Sequence, residues 1–349
     1  MGEWTPDVLG DEFVQQTLPL GHDDEGEVVA TLVRALPDAP EPVPAPTFWQ
    51  RLRGIRPMPA PVPPLADVDV LYVHGWSDYF FQKRLARFWT ARGARFFALD
   101  LRKYGRSLRP GQTPGYIDDL ATYDEDIAAA LAVIREGQDA EHRRLMLFGH
   151  STGGLILSLW ADRHPGEAAG MVLNSPWLEF QLPRFQRETI APLVGMQAKY
   201  WPLEKAPQVD LGFYTRAQNA VADPTDPMDV NLDWRPEQTM TVYAGWLNAI
   251  LTGHRQIAAG VRIDAPVLVL LSARTAMPTA WSEALTSADT VLWVDDIARA
   301  ALKLGPSVTV ARIDGALHDV FLSRHEARED AYARLAQWVT GWDAATRQR

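Results

Sequence analysis

Two short segments near the N-terminus alternate between apolar and polar residues, and a Gly- and Asp-containing stretch joins them. The segments are residues 13–18 and 28–33, and the stretch between them includes Gly21 and Gly26. Because successive side chains of a strand point to opposite faces, the alternation predicts a β-hairpin. Residues 37–64 follow, with ten prolines in 28 positions. Proline lacks an amide hydrogen and suits neither a long helix nor a central strand, so an extended connection is predicted there.

Apolar runs of strand length then alternate with stretches of helical periodicity. The predicted strands are residues 68–73, 95–99, 144–148, 171–173, 267–271 and 308–313, and the predicted helices are residues 80–92, 117–135, 155–163, 297–304 and 325–342. Strands that alternate with helices are typical of a parallel sheet with helices on both faces. Together with the hairpin, the pattern predicts an α/β fold with a mostly parallel sheet of eight strands.

The alternation is interrupted between the sixth and seventh predicted strands. From Trp177 to about Ile257 the chain is rich in aromatic residues and proline, and it contains no convincing strand. We therefore expect residues 176–257 to form a cap or lid, inserted into a core made of residues 1–175 and 258–349. The density of aromatic side chains indicates an apolar pocket under this cap. Most of these rings are expected in the cap's own core, whereas Trp177 and Tyr79 are predicted to line the pocket.

Composition narrows the classes of partner. The formal net charge of −10 argues against nucleic acid, because phosphate binding needs a basic surface, and it leaves the oligomeric state unknown. The chain has no cysteine, which excludes disulfides and thiolate chemistry, and no motif indicates a metal or an organic cofactor. The N-terminus lacks the apolar run of a signal peptide, and no stretch approaches the roughly 18 apolar residues of a membrane span. We expect a cytoplasmic protein without integral membrane association that acts on a small molecule.

One pentapeptide carries a strong chemical signal. Gly149-His150-Ser151-Thr152-Gly153 lies between a predicted strand and a predicted helix, which is the setting that the G-x-S-x-G nucleophile elbow requires. The serine of such an elbow occupies a strained turn, and small neighbours leave room for close packing. Ser151 is therefore the candidate nucleophile. The alternative is a turn in which Ser151 or Thr152 only caps the following helix. His150 is expected to point away from the nucleophile as a packing residue.

A serine nucleophile needs a base for its proton and donors for the oxyanion that develops on the substrate. With this elbow the chain order is Ser…Asp/Glu…His, so the base should follow the last strand, where His318 is the histidine at that position. One oxyanion donor is the backbone N–H after the nucleophile, at Thr152. The other is expected in the loop that follows residues 68–73, and Trp76 is the candidate there. Its indole ring is also a candidate wall of the pocket.

The acid that orients the base is expected after the strand at residues 267–271. An additional stretch, residues 273–286, delays the candidates. Asp289 is the preferred acid, and Glu283 and Glu179 remain alternatives. Asp295 and Asp296 directly precede a predicted helix and are better explained as residues of its N-terminus.

Together these residues resemble the α/β-hydrolase superfamily, over roughly residues 68–349. Within it the chain is most similar to the monoacylglycerol lipase, lysophospholipase and serine aminopeptidase-like group. The resemblance rests on His74-Gly75, the turn from Asp100 to Ser107, the elbow, the strand that starts at Pro266, and Gly315-x-x-His318. It implies an α/β-hydrolase fold with a Ser-His-Asp triad, and a turn at residues 100–107 that shapes the fold and is not catalytic.

Three functions fit these features. The leading hypothesis is hydrolysis of a carboxylic ester through an acyl-enzyme at Ser151, on a lipophilic substrate such as a monoacylglycerol or a lysophospholipid. The second is peptidase or amidase action, which needs an acidic group for the substrate's ammonium, and Asp78 or Glu179 are candidates. The third is a ligand-binding protein that keeps the triad and turns over little.

Overall fold

The fold is organised around one sheet of nine strands. The computed structural model describes residues 2–37, 63–136, 142–181, 184–208, 210–224, 226–277 and 279–347, with the backbone alone for 184–190. The strands are β1 Thr5–Pro6, β2 Phe13–Asp23, β3 Gly26–Ala35, β4 Val68–Val73, β5 Arg95–Asp100, β6 Arg144–His150, β7 Gly170–Asn174, β8 Val267–Ser272 and β9 Val308–Ile313. The strand beyond the expected eight is β1, two residues that pair with β2. The predicted proline-rich connection at 37–64 falls almost wholly on residues 38–62, outside the described residues.

The strand order shows why the sheet is mostly parallel. Its order is β1-β2-β3-β5-β4-β6-β7-β8-β9, and the six strands from β5 to β9 in that order run parallel. The predicted hairpin forms β2 and β3, which pair antiparallel. Every residue of β4 and of β8 is buried, as expected for strands that are covered on both faces. The predicted α/β class with a mostly parallel sheet is thereby confirmed.

Helices form a layer on each face of the sheet. They are α1 Lys83–Thr90, α2 Tyr123–Ile134, α3 Thr152–Arg163, α4 Arg184–Tyr200, α5 Phe213–Val221, α6 Ala244–Ala259, α7 Val294–Ala301 and α8 His325–Thr346. Alternate residues of β4 divide between the two layers. Leu71 and Val73 pack with α2, α3, α6 and α7, whereas Val70 and Tyr72 pack with α1 and α8. In the described part of the chain, no helix combines the length and the apolar character needed to cross a bilayer.

The segment between β7 and β8 contributes α4, α5 and α6, and α6 joins the main core. Its residues Trp246, Ile250 and Ile257 are at most 1% exposed and belong to the same apolar cluster as α2 and α3. Gly253 permits the close approach, because a Cβ atom there would lie 2.7 Å from a methyl carbon of Leu120. The sequence division assigned α6 to the inserted unit at 176–257. The aromatic and apolar residues of α6 pack in the helical layer of the core.

The turn at residues 100–107 is held by buried charges. Arg106 donates to Asp100 at 2.7 Å and to Asp7 at 2.6 Å, and all three side chains are at most 3% exposed. The second oxygen of Asp100 accepts the backbone N–H of Phe80 at 3.0 Å. This network joins the N-terminal segment, the carboxyl end of β5 and the entry to α1. Its position supports a structural role for the turn.

Replacing Asp100 with alanine is therefore expected to lower the free energy of unfolding by about 3–5 kcal/mol, because a buried ion pair loses one partner. Urea denaturation followed by circular dichroism measures the change. The control is Asp296→Ala, which removes an exposed pair with Arg299 on one helical turn and should cost less than about 1 kcal/mol. Equal losses in the two variants would contradict the structural role given to Asp100.

Candidate active site

Ser151 occupies a strained turn at the end of β6. Its backbone has φ 51° and ψ −116°, a left-handed φ that a residue with a side chain adopts at an energetic cost. The next residue begins α3, so the side chain stands above the carboxyl edge of the sheet. Close packing explains the second glycine of the motif, because a Cβ atom on Gly153 would collide with the carbonyl oxygens of Val73 and His74. The local sequence thus builds an elbow that presents the Ser151 hydroxyl.

His318 meets this hydroxyl from the loop after β9. The distance from His318 Nε2 to Ser151 Oγ is 3.0 Å, within ordinary hydrogen-bond range. His318 is 3% exposed. The preceding residue, Leu317, donates its backbone N–H to Ser323 Oγ at 2.9 Å, which fixes the loop. The residues predicted as nucleophile and base are therefore in contact although 167 positions separate them.

Asp289 lies on the other side of the imidazole. Its Oδ2 is 3.0 Å from His318 Nδ1, and the side chain is fully buried. The other oxygen accepts the backbone N–H groups of Val291 at 2.7 Å and Leu292 at 2.8 Å. Three hydrogen bonds thus fix the carboxylate on both of its oxygens.

The stretch that delays this acid in the sequence folds back against β8. Thr275 and Asp289 form an isolated parallel bridge, in which Ala276 donates to the Asp289 carbonyl at 2.8 Å. This isolated residue pair lies just beyond the last residue of β8, which is Ser272. Asp289 consequently lies near the carboxyl end of β8, where an acid directly after the strand would lie.

The alternative acids occupy other places. Glu283 is exposed on a short 3-10 turn. Glu179 lines a separate cavity with Phe180 and His254. Asp295 and Asp296 lie in the first turn of α7 and pair with arginines. The acid beside His318 Nδ1 is Asp289.

Two backbone donors lie close to the hydroxyl. Gly75 packs against the nucleophile, since a Cβ atom there would lie 3.0 Å from Ser151 Cβ, and Trp76 is the next residue. Within the described residues, neither the Trp76 N–H nor the Thr152 N–H donates a hydrogen bond. His74 anchors this loop by contacting the Gly75 carbonyl oxygen through Nδ1 at 2.7 Å and by accepting the Leu101 N–H on Nε2 at 3.1 Å. Burial lowers the pKa of His74, which matches this neutral tautomer.

These groups open into a cavity of about 160 Å³ above Ser151. Its apolar wall includes Trp76, Trp177 and Val291, and its polar wall includes Asp78, Tyr214 and Arg235. The predicted pocket residue Trp177 therefore lines the cavity.

Tyr79, which the sequence predicts in the pocket, does not line this cavity in the structure. It is 1% exposed, packs against Phe81 and Trp234, and accepts the Asn231 N–H on its hydroxyl at 2.8 Å. Ser77, with φ 53°, turns the loop so that this ring enters the core beside the site and not the cavity.

Sequence reasoning missed a buried ion pair in the polar wall. Arg235 Nε is 2.9 Å from Asp78 Oδ1, and the two side chains are 12% and 7% exposed. Burial raises the pKa of Asp78, and the charge of Arg235 opposes this shift. Arg235 also donates to Gln218 at 2.7 Å. No local motif marks this pair, because its members come from distant parts of the chain.

A second missed feature is the surroundings of His150. Its ring lies 5.1 Å from that of His318, centroid to centroid, and it lines the cavity. Its Nδ1 is 3.1 Å from the Asn174 carbonyl oxygen, and burial lowers its pKa. His150 therefore combines the expected packing with a place on the wall of the site.

Asp319, the residue after His318, links the histidine loop to neighbouring elements. It accepts hydrogen bonds from Gln82 at 2.6 Å and from Asn174 at 2.7 Å, and it is 1% exposed. These bonds join the loop that carries His318 to β7 and to the residue before α1. Among the described residues, no three His, Asp or Glu side chains converge in a way that could hold a metal ion.

Comparison with known proteins places this geometry in a family. A monoacylglycerol lipase of Mycolicibacterium smegmatis is 31% identical over 108 residues, which cover 31% of this chain and 37% of that protein. The chain thus matches about a third of the length of that curated relative. A solved monoacylglycerol lipase of Paleococcus ferrophilus superposes with a TM-score of 0.58 at 18% identity, covering 78% of this chain and 94% of that one.

A soluble variant of the Saccharomyces cerevisiae monoglyceride lipase superposes with a TM-score of 0.60 at 15% identity, covering 97% of this chain and 99% of that one. At such low identities the superpositions show a shared fold and nothing beyond it. The family model described as serine aminopeptidase, S33, matches residues 66–324, which include the elbow, the cavity and the histidine loop. The chain therefore belongs to the serine aminopeptidase S33 family of α/β-hydrolases.

Proposed function

We propose that this protein hydrolyses carboxylic esters through an acyl-enzyme formed on Ser151. The observation that carries the proposal is the buried line of contacts from Asp289 to His318 to Ser151, with both distances at 3.0 Å. A nucleophile, a base within hydrogen-bond reach and a third group that orients the base are the parts that acyl transfer by a serine requires.

In the first half of the reaction, Ser151 Oγ attacks the ester carbonyl carbon while His318 Nε2 takes the hydroxyl proton. The tetrahedral intermediate collapses, the bond to the alkoxy oxygen breaks, and His318 returns the proton to the leaving alcohol. In the second half a water molecule attacks the acyl-enzyme, and His318 takes its proton and gives it back to Ser151 Oγ. The carboxylic acid then leaves, and the enzyme is regenerated.

Asp289 sets the state of the base. A carboxylate at Nδ1 holds the imidazole in the tautomer whose Nε2 can accept a proton, and it stabilises the imidazolium that forms. The backbone donors on its other oxygen hold the carboxylate in place, so that little reorganisation is needed as charge develops. His318 is therefore prepared for proton transfer before substrate binds.

We propose that the oxyanion accepts hydrogen bonds from the backbone N–H groups of Trp76 and Thr152. Both lie beside Ser151, and neither donates within the described residues. Donors that are already oriented stabilise the developing negative charge without a cost at the moment of reaction. Removing one such donor in other enzymes costs about 10²- to 10³-fold in kcat.

The segment between β7 and α6 is proposed to act as the cap. Tyr214, Thr215, Arg235 and Thr239 of this segment line the cavity above Ser151. Tyr214 also contacts the base loop, since its hydroxyl lies 3.3 Å from the Asp319 backbone nitrogen. A cover of this kind keeps bulk water from the reacting groups.

Ester cleavage is favoured over aminopeptidase action, because the described residues that line the cavity include no carboxylate left unpaired for a substrate ammonium. Asp78 lines the cavity and is paired with Arg235 at 2.9 Å. Glu179, the other candidate for this role, lines the separate cavity. A bound ammonium at Asp78 would have to displace a buried guanidinium, which leaves that charge unpaired.

Three chromogenic substrates, which release p-nitrophenol or p-nitroaniline, distinguish an esterase from a peptidase and from a low-turnover binding protein. We expect p-nitrophenyl butyrate to be hydrolysed through many turnovers per enzyme, and we expect alanine p-nitroanilide to react no faster than butyryl p-nitroanilide. The two anilides share a leaving group and differ in the ammonium. Faster cleavage of the alanine compound would favour a peptidase, and release of one equivalent followed by arrest would favour a low-turnover binding protein.

A further inference from the structure

The cavity above Ser151 is small for a lipid ester. Its volume is about 160 Å³, whereas pockets for drug-sized ligands measure about 300–1,000 Å³. A cavity of about 150 Å³ in another protein accommodates a benzene molecule. The space beside the nucleophile thus matches about six carbon atoms, and a longer acyl chain would have to extend beyond it.

Tryptophan rings close the apolar end of this space. Trp76 and Trp177 form part of the wall, and Trp246 stands behind both of them. The Trp246 ring lies 3.8 Å from that of Trp76 and 6.0 Å from that of Trp177, centroid to centroid. A longer acyl chain that extended toward this end would contact Trp76 and Trp177 first, with Trp246 behind them.

The wall is backed by the core of the protein. Trp246 is 1% exposed and lies on α6, which packs closely on the core at Gly253. Trp76 is also held on its other side by Tyr104, whose ring lies 5.9 Å away, and Tyr104 is 2% exposed. Displacing either indole would require movement of a buried side chain or of a helix in the core.

The opposite wall, as far as the described residues form it, is polar. There the Asp78–Arg235 pair and Tyr214 line the same cavity. Covering a charged pair with methylene groups removes its remaining hydration without replacing the lost hydrogen bonds. An acyl group is therefore accommodated on the tryptophan side, and its length is limited there.

We infer that this enzyme selects short acyl groups, of about six carbons or fewer, because the tryptophan wall of Trp76, Trp177 and Trp246 ends the acyl site. The inference rests on the proposed ester hydrolysis and narrows the lipophilic substrate predicted from the sequence. Trp246 is the residue that sets the depth, because it supports the two indoles that touch the cavity. It acts on specificity and takes no part in the chemistry.

The test is the kcat/KM of p-nitrophenyl esters from acetate to decanoate, measured below their micellar concentrations. For the unmodified protein we expect the value to peak at six carbons or fewer and to fall at least tenfold by decanoate. In Trp246→Leu, which gives Trp76 room to retreat, the ratio of decanoate to butyrate should rise at least tenfold. The control Trp338→Leu removes an indole on α8, which packs on the other face of the sheet, and should leave the profile unchanged.

Circular dichroism and thermal melting establish that each variant is folded. The dependence of kcat/KM on acyl length in the unmodified protein tests the inference by itself, even if Trp246→Leu does not fold. Values that stay level or rise from butyrate to decanoate overturn the inference, as does a folded Trp246→Leu with an unchanged profile. Absence of hydrolysis of every ester in the series would instead contradict the proposed function itself.

Discussion

Ser151→Ala is expected to lower kcat/KM for p-nitrophenyl butyrate by about 10⁴- to 10⁶-fold, the range seen when a catalytic serine is removed from other hydrolases. The hydroxyl is the only group of the proposed mechanism that bonds to the substrate carbon. Without it, the oxyanion donors and His318 can assist only direct attack by water, which explains a residual rate above the uncatalysed one. The measurement is the initial rate of p-nitrophenol release with enzyme purified from a host that lacks contaminating esterase.

A second serine on the same helix provides the control. Ser158 is fully buried on α3, and its hydroxyl donates to the Gly154 carbonyl at 2.7 Å. Ser158→Ala should retain activity within about threefold, since it removes one hydrogen bond of modest net value. Full ester turnover by Ser151→Ala, or equal losses in the two variants, would remove Ser151 from its role.

Asp289→Asn is expected to lower kcat/KM by about 10⁴-fold, as the corresponding change does in a well-studied serine protease. The amide has nearly the size of the carboxylate, but its NH₂ group can donate to His318 Nδ1. That bond places the imidazole proton on Nε2, so the nitrogen that faces Ser151 can no longer accept a proton. The loss should appear mainly in kcat with little change in the melting temperature, because the shape of the buried site is kept.

The alternative acids supply matched controls for this change. Glu283→Gln and Glu179→Gln make the same chemical substitution at residues that lie elsewhere in the structure. Both should retain activity within about threefold. A large loss in either one, together with an active Asp289→Asn, would mean that the acid had been assigned to the wrong residue.

Local patterns predicted those parts of the fold that local physics determines. Strands such as β4 and β8 are recognisable in the sequence because strands buried on both faces form nearly continuous apolar runs. The elbow was visible because its strained serine and close packing demand a particular sequence within five residues. Chain order, together with the placement of Asp295 and Asp296 at a helix N-terminus, predicts Asp289. In the structure a detached bridge with Thr275 brings Asp289 back to the end of β8.

Features that depend on contacts between distant residues were not predictable in the same way. The Asp78–Arg235 pair joins the loop after β4 to the inserted segment, and neither residue has a distinctive neighbourhood in the sequence. The sequence predicts Tyr79 in the pocket, whereas the loop with the positive φ of Ser77 carries its ring into the core. The compartment, the partners and the division at 176–257 stay predictions.

The inserted segment shows how burial decides between a cap and a core. Aromatic residues between β7 and β8 indicated a separate apolar unit, and periodicity alone cannot say which face of a helix meets which layer. Trp246 on α6 belongs to the core layer, while Tyr214 of α5 lines the cavity. One stretch of sequence therefore supplies both the support of the acyl site and its proposed cover.

Covalent trapping tests directly whether Ser151 is the nucleophile. The intact protein is incubated with a fluorophosphonate probe, digested and mapped by mass spectrometry, with Ser151→Ala treated in parallel. We predict one probe adduct per chain, located on Ser151, and no adduct in the variant. A folded protein that takes up no probe, or one that carries the adduct on another residue in both samples, would contradict the assignment of Ser151 as the nucleophile.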